Sequence, residues 1–205
     1  MGGATTNSVL YRRTGQVAEV TLNRPQAMNA LTAEMGVELR QAWRRIESDP
    51  EVAVAVVTGA GERAFCAGVD ISELERDPDE QQDLTGFGGP ATGLAKPMVA
   101  AVHGYAVGAG CKLAMCADVI VASGDARFGY PEARVGVLGN GDFVHRPMRQ
   151  LPRREALATL LTGRLIDADR AGRLGLVNEV VEPDELLATA SRWAASIVQS
   201  SPKSW

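Results

Sequence analysis

Histidine is scarce in this 205-residue chain, with only His103 and His145 present, so a multi-histidine metal site is disfavoured and no metal is expected. Cysteine is scarce as well. Cys66, Cys111 and Cys116 are unevenly spaced among apolar or small residues, which suits reduced buried thiols better than a disulfide framework. Cys111 and Cys116 lack the close pairing and histidine partners of a zinc site. Nothing around the three cysteines signals an activated thiol, so a Cys-His nucleophile pair is set aside. Apolar runs of membrane-spanning length are missing, and residues 1–8 have neither the basic start nor the apolar stretch of a signal peptide. The sequence therefore reads as soluble, cytoplasmic and without a membrane partner. An excess of positive charge is also lacking. A net charge of -4 and a pI near 5.3 argue against a general nucleic-acid binder, although a local basic patch could still hold phosphate.

What is present suffices for a full core: 45% of residues are hydrophobic and 22% charged, and no repeat, low-complexity tract or linker divides the chain. Residues 1–8 are small and polar and are expected to be disordered, leaving 9–205 as a single domain. Val9 to Leu22 reads as a hairpin turning at Thr14-Gly15. Thr32 is placed to cap a helix on which Met35, Leu39, Trp43 and Ile46 recur at helical spacing until Asp49-Pro50. Val52 to Thr58 is a nearly unbroken apolar run, the pattern of a strand covered on both faces. Glu73 to Gly93 has no defensible period and is expected to form a flap or irregular helix over a site. Val119 to Ala122 and Ala126 to Phe128 read as strands. Leu138 to Asp142 reads as a glycine-rich turn, and Phe143 to Arg149 as a helix turn or loop. Helices are expected at Glu155 to Thr162, closed by Gly163, and from a cap at Asp167 to Leu174, closed by Gly175. Val177 to Val181 reads as a strand. An amphipathic helix from Pro183 to about residue 200 is expected to pack on Leu186, Leu187, Ala190, Trp193, Ala194 and Ile197.

The stretch from Lys96 to Asp118 organises the rest. Met98 to Val102 has the look of a buried strand, Gly108-Ala109-Gly110 of a tight turn, and Leu113 to Ala117 of a deeply packed helix. A strand feeding a helix through such a turn leaves several N–H groups unpaired at the helix start, which favours negative charge there. The plainer alternative for Gly108-Ala109-Gly110 is close packing of strand against helix.

Six segments, taken in order, resemble the enoyl-CoA hydratase/isomerase, or crotonase, superfamily. They are Asn23-Arg24-Pro25 with Met28-Asn29-Ala30-Leu31; Phe65 to Ile71; Lys96 to Ala101; Gly104-Tyr105-Ala106 with Gly108-Ala109-Gly110; Phe128 to Gly136; and Leu161-Thr162-Gly163 with Ala171 to Val177. The resemblance implies an α/β fold, a crotonase-like spiral of β-β-α units with two packed sheets surrounded by helices, assembling as a homotrimer or hexamer. It also implies further helices beyond Ser200 that pack the trimer and help close the acyl pocket. The expectation is thus a crotonase-like domain at 9–205 lacking those C-terminal helices.

The resemblance implies an acyl-CoA substrate, with no prosthetic cofactor, whose thioester oxygen is held by the backbone N–H groups of Val69 and Ala109. Fixed amides suit that task, because proton transfer beside a thioester gathers negative charge on the oxygen. Family hydratases use two glutamates to deliver water across a double bond. Glu132 falls on the second position, while Lys112 occupies the first, and an ammonium has no acceptor with which to activate water. Isomerase-like chemistry with Glu132 as the single acid/base is therefore favoured. The alternatives are a non-catalytic acyl-CoA binder, or a crotonase-type hydrolase or other enolate chemistry. For Glu132 the plainer reading is a carboxylate paired with Arg127 or Arg134; for Lys112 it is a lysine paired with Glu132 or Asp142. Asn140 stands where dienoyl-CoA isomerases carry an aspartate, and Asp142 and His145 are nearby modulators or ordinary loop residues. The resemblance places CoA along Met28, Ala30, Ala64, Ala67, Gly68, Asp70, Ile71 and Gly108. Arg24 and Arg63 are phosphate-contact candidates or solvated arginines.

Overall fold

The structure is a computed structural model and describes residues 7–73, 94–136 and 141–200, without the side chains of 141 and 142. The hairpin forms where the sequence places it. β1 (Val9–Thr14) pairs antiparallel with β2 (Val17–Leu22) across a turn at Gly15, whose φ of 58° lies in the left-handed region. α1 (Ala33–Ser48) starts at Thr32, whose hydroxyl accepts from the Met35 N–H at 3.2 Å, and it buries Met35, Leu39, Trp43 and Ile46. Its C-terminal carbonyls are met by the Lys96 ammonium, which donates to Ile46 and Asp49, so a cation sits at the negative end of the helix.

β3 (Val54–Gly59), β4 (Met98–Val102), β6 (Val119–Ser123) and β9 (Glu179–Val181) continue the sheet in parallel, giving the order β1-β2-β3-β4-β6-β9. Their near-continuous apolar runs are explained by burial on both faces. Ala55, Val57, Ala100, Val102, Ile120 and Ala122 join the main core. The alternate residues Val54, Val56, Val99, Ala101 and Val121 pack instead against Leu186, Ala190 and Ala194 of α6 (Leu186–Gln199). Leu187 departs from the expectation. It is 57% exposed, because it falls one position off the stripe that faces the sheet.

A second sheet was only partly visible in the sequence. β5 (Tyr105–Val107) runs parallel to β7 (Arg127–Gly129), which pairs antiparallel with β8 (Ile166–Asp167). The 64–66 segment adds to it through bridges Ala64–Gly104 and Cys66–Ala106. The spiral follows from this. β3, β4 and β6 each enter the large sheet, and the chain then crosses to the small one at 64–66, β5 and β7. The strand at 98–102 therefore does not feed the helix directly, as the sequence suggested. β5 intervenes, and α2 (Ala109–Ala114) is shorter than expected, with residues 115–117 in a turn.

α3 (Gly141–Gln150) is a full helix where a single helix turn or a loop was expected from Phe143 onward, and it carries Pro147 inside it. α4 (Arg153–Thr162) ends at the left-handed Gly163, and α5 (Ala168–Arg173) starts at Asp167, whose side chain accepts from the Arg170 N–H at 2.7 Å. The expected flap lies outside the described residues except for Glu73, which is buried, and the glycine-rich turn lies outside them up to residue 140. Cys66 and Cys111 are buried free thiols, whereas Cys116 is only half-buried. No helix among the described residues is long and apolar enough to cross a membrane, and none of their His, Cys, Asp and Glu side chains form a group of three that could hold a metal ion.

Candidate active site

Two glycine turns from distant parts of the chain meet at one point. Gly68 has φ of 96° and Gly108 has φ of 55°, conformations that a side chain rarely adopts. A Cβ on Gly68 would lie 3.6 Å from the Ala109 nitrogen and 3.8 Å from the Gly108 Cα, so the turn bearing the Val69 amide abuts the start of α2. Because Gly108 takes the unusual angles, Ala109 is free to be ordinary helix. Neither the Val69 nor the Ala109 N–H donates to any described group, and of the two residues Ala109 is buried and Val69 half-buried. Buried amides are almost always paired in folded proteins.

Glu132 arrives at the same point from a 3-10 turn at Pro131–Arg134. A Cβ on Gly108 would sit 2.7 Å from its Oε1, and its Oε2 is buried with no hydrogen-bond partner among the described residues. Burial raises the carboxyl above its ordinary value. The paired-carboxylate reading fails. Arg127 donates instead to the carbonyls of Gly124 and Ala126, Arg134 to that of Thr162, and no ion pair joins Lys112 to Glu132.

Lys112 is 2% exposed on α2, one turn beyond Ala109, with its ammonium 5.7 Å from the centroid of the Phe143 ring. Phe143 meets Tyr130 edge-on at 5.9 Å, and Tyr130 leads into the Glu132 turn. The Tyr130 hydroxyl donates to the Met115 sulfur at 3.3 Å, and burial pushes the adjacent Cys111 thiol up to about 12, so that thiol stays protonated. His145 is exposed on α3. Asn140 and the side chain of Asp142 lie outside the described residues.

Backbone hydrogen bonds tie together two of the segments assigned to CoA, 28–31 and 67–70. The Ala67 N–H donates to Met28, Leu31 donates to Gly68, and Asp70 donates back to Leu31. Ala30, Ala67 and Asp70 are half-buried, Ile71 is 79% exposed, and Ala64 is buried. Arg24 is half-buried and one of its terminal nitrogens is engaged by the protein itself. Its Nη1 donates to the Ala30 carbonyl at 2.6 Å and to Asp70 Oδ2 at 2.9 Å. The Ser72 hydroxyl and the Arg24 guanidinium hold the Asp70 carboxyl below the usual range. Arg63 is exposed.

Sequence reasoning did not single out Asn29 as a structural hub. It is fully buried and left-handed at φ of 54°. Its side chain accepts from Arg24 N–H and donates to Ala60 and Ala64 carbonyls, at 2.8–2.9 Å. Asparagine beside a proline turn was the available signal, because Asn tolerates that conformation better than most residues.

The chain as a whole is similar to known proteins. The enoyl-CoA hydratase/isomerase family profile matches residues 12–205. The short-chain-enoyl-CoA hydratase of Clostridium acetobutylicum is 41% identical over 201 residues, covering 96% of this chain and 77% of the relative. The (E)-benzylidenesuccinyl-CoA hydratase of Thauera aromatica is 40% identical over 193 residues, covering 92% and 75%. The crystal structure of an enoyl-CoA hydratase from Mycobacterium tuberculosis superposes with a TM-score of 0.87 at 34% identity, covering 96% of this chain and 78% of that one. On the strength of sequence, fold and coverage together, this chain is an enzyme that belongs to the enoyl-CoA hydratase/isomerase family.

Proposed function

We propose that this enzyme binds an acyl-CoA thioester and moves one proton along its acyl chain, as a Δ3-Δ2 enoyl-CoA isomerase does. The observation that carries the reading is the Glu132 carboxylate: partly buried, with Oε2 unpartnered and no cation paired to it among the described residues, and set against the Gly108 turn, with a lysine rather than a second carboxylate on α2. The thioester oxygen sits between the N–H groups of Val69 and Ala109, which have no acceptor of their own within the described protein. Glu132 removes a proton from C2, and the resulting dienolate places its charge on the oxygen held by those amides. Glu132 then returns the proton to C4, and the double bond moves from C3 to C2. Two fixed donors stabilise that charge without reorganising, and losing one costs about 3 kcal/mol in comparable enzymes.

A carboxyl raised by burial suits both halves of this cycle, since it is a stronger base when ionised and a sufficient acid once protonated. Hydration would require a second group to activate water, and the Lys112 ammonium offers no lone pair for it. The CoA portion runs along Met28, Ala30, Ala64, Ala67, Gly68, Asp70 and Ile71, mostly through backbone. Purified protein supplied separately with 3-enoyl-CoA and 2-enoyl-CoA tests the assignment. Conversion of the 3-enoyl ester to its 2-enoyl isomer is expected. Turnover of the 2-enoyl ester alone, with uptake of water, would replace isomerisation by hydration.

A further inference from the structure

We infer that Arg24 and Asp70 are positioning residues that hold the Val69 amide at the reacting oxygen; this rests on the reading of Val69 as an enolate donor. Leu31 grips the chain on both sides of Val69, its N–H donating to Gly68 at 2.8 Å and its carbonyl accepting from Asp70 at 2.9 Å. That grip leaves the Val69 N–H without a described acceptor, and it is only as firm as the placement of Leu31 itself. Leu31 follows two consecutive left-handed residues, Met28 at φ 50° and Asn29 at φ 54°, a conformation that non-glycine residues hold only when their surroundings impose it.

Two devices impose it. The Asn29 side chain ties the turn to Ala60 and Ala64. Arg24 ties it to the donor turn, because a single nitrogen bridges the Ala30 carbonyl, next to Leu31, and the Asp70 carboxylate, next to Val69. Asp70 is fixed from its other side by Ser72, whose hydroxyl and N–H both donate to Oδ1, at 2.8 and 3.2 Å. The guanidinium and carboxylate are each only about one-fifth exposed, so the pair is better shielded than a surface ion pair. The chain Ser72–Asp70–Arg24–Ala30 thus closes a ring around Val69. A donor displaced by an ångström loses much of its value in the transition state while ground-state binding is little changed.

The test uses Arg24→Met, Arg24→Lys and Asp70→Asn, assayed below their unfolding temperatures on two thioesters of the same 3-enoyl acid, one of CoA and one of N-acetylcysteamine, which has no phosphate. Exchange of C2 hydrogens in deuterated water reports enolate formation directly. Arg24→Met is expected to lower kcat and exchange about ten- to a hundred-fold on both thioesters. KM should stay within about twofold, and Arg24→Lys should recover most of the loss because an ammonium can still bridge both acceptors. A loss confined to the CoA ester and appearing in KM makes Arg24 a phosphate contact and overturns the inference, as does unchanged exchange in Arg24→Met. If Arg24→Met does not fold, Asp70→Asn decides by the same two readouts. Absence of both isomerisation and exchange in the parent enzyme would instead overturn the donor reading of Val69.

Discussion

At the scale of single residues, Glu132 carries a conflict between stability and chemistry. Its carboxyl is raised by burial, opposed more weakly by a hydrogen bond from its own backbone N–H, and its Oε2 has no partner among the described residues, so ionising it in the folded protein is unfavourable. The folded state binds this proton more tightly than the unfolded chain does. The contribution therefore favours folding at acid pH, below the ordinary carboxylate value, and is lost as pH rises through the raised one. Glu132→Gln removes the buried charge at nearly constant shape. It should unfold at a higher temperature than the parent at pH 7.5, with the gap closing as pH approaches 4, and should lower turnover by at least about 100-fold. A thermal melt of both proteins at the two pH values checks this; a less stable variant at pH 7.5 would reveal a favourable partner for the carboxylate. In the parent, activity should rise with pH through the same raised value, because the base acts only when ionised.

At the scale of elements, the site depends on how closely α2 docks against the 64–68 turn. Gly110 is the contact: a Cβ there would lie 2.2 Å from the Cys66 carbonyl oxygen and 2.7 Å from the Cys66 Cβ. Neither atom is the end of a flexible side chain, so the helix must shift as a body. Gly110→Ala is predicted to destabilise by roughly 1–3 kcal/mol, as overpacking does, measured by urea unfolding. It should also reduce turnover, because the Ala109 amide moves with the helix. Parent-like stability and kcat would mean that the turn yields instead. This contact was not legible in the sequence. Gly108-Ala109-Gly110 announces a tight turn, but not that its last glycine faces Cys66, more than forty residues earlier. Glu132 and the two turns could be placed from their local motifs. The Arg24–Asp70 pair could not, since its partners are 46 residues apart and each alone looks like a surface charge. Short strands failed for the same reason: β5 and β8 have three and two residues, and their pairing comes from distant segments rather than their own pattern.

At the scale of the whole molecule, the large sheet was legible because burial on both faces writes itself as continuous apolar runs, and the spiral was not, because the crossing between sheets has no periodic signature. The passage between the two sheets leaves a polar side chain at the seam that adds to the molecule's response to acid. His103 lies there, between β4 and β5, with its Nε2 buried and without a hydrogen-bond partner among the described residues. Burial lowers its basicity, opposed more weakly by the nearby Asp125 carboxylate and a backbone hydrogen bond at Gly61. The unfolded chain therefore takes up this proton first, at roughly pH 6.5, and stability should fall as pH drops through that region toward the lowered folded value. Asp70 and Glu155 are held below the carboxylate range, by Ser72 with Arg24 and by Arg170 with Arg164 respectively, so their contribution is kept until pH falls past the ordinary carboxylate values and is then lost. Glu132 acts in the opposite sense. Because its ionisation can overlap that of His103, the histidine is isolated by substitution: the fall in urea midpoint between pH 7.5 and 5.5 should be smaller in His103→Gln than in the parent, at unchanged slope against urea. An equal fall in both proteins would assign the acid sensitivity to groups other than this seam histidine. His145 is exposed on α3, so His145→Gln should leave the parent's fall intact and serves as the control.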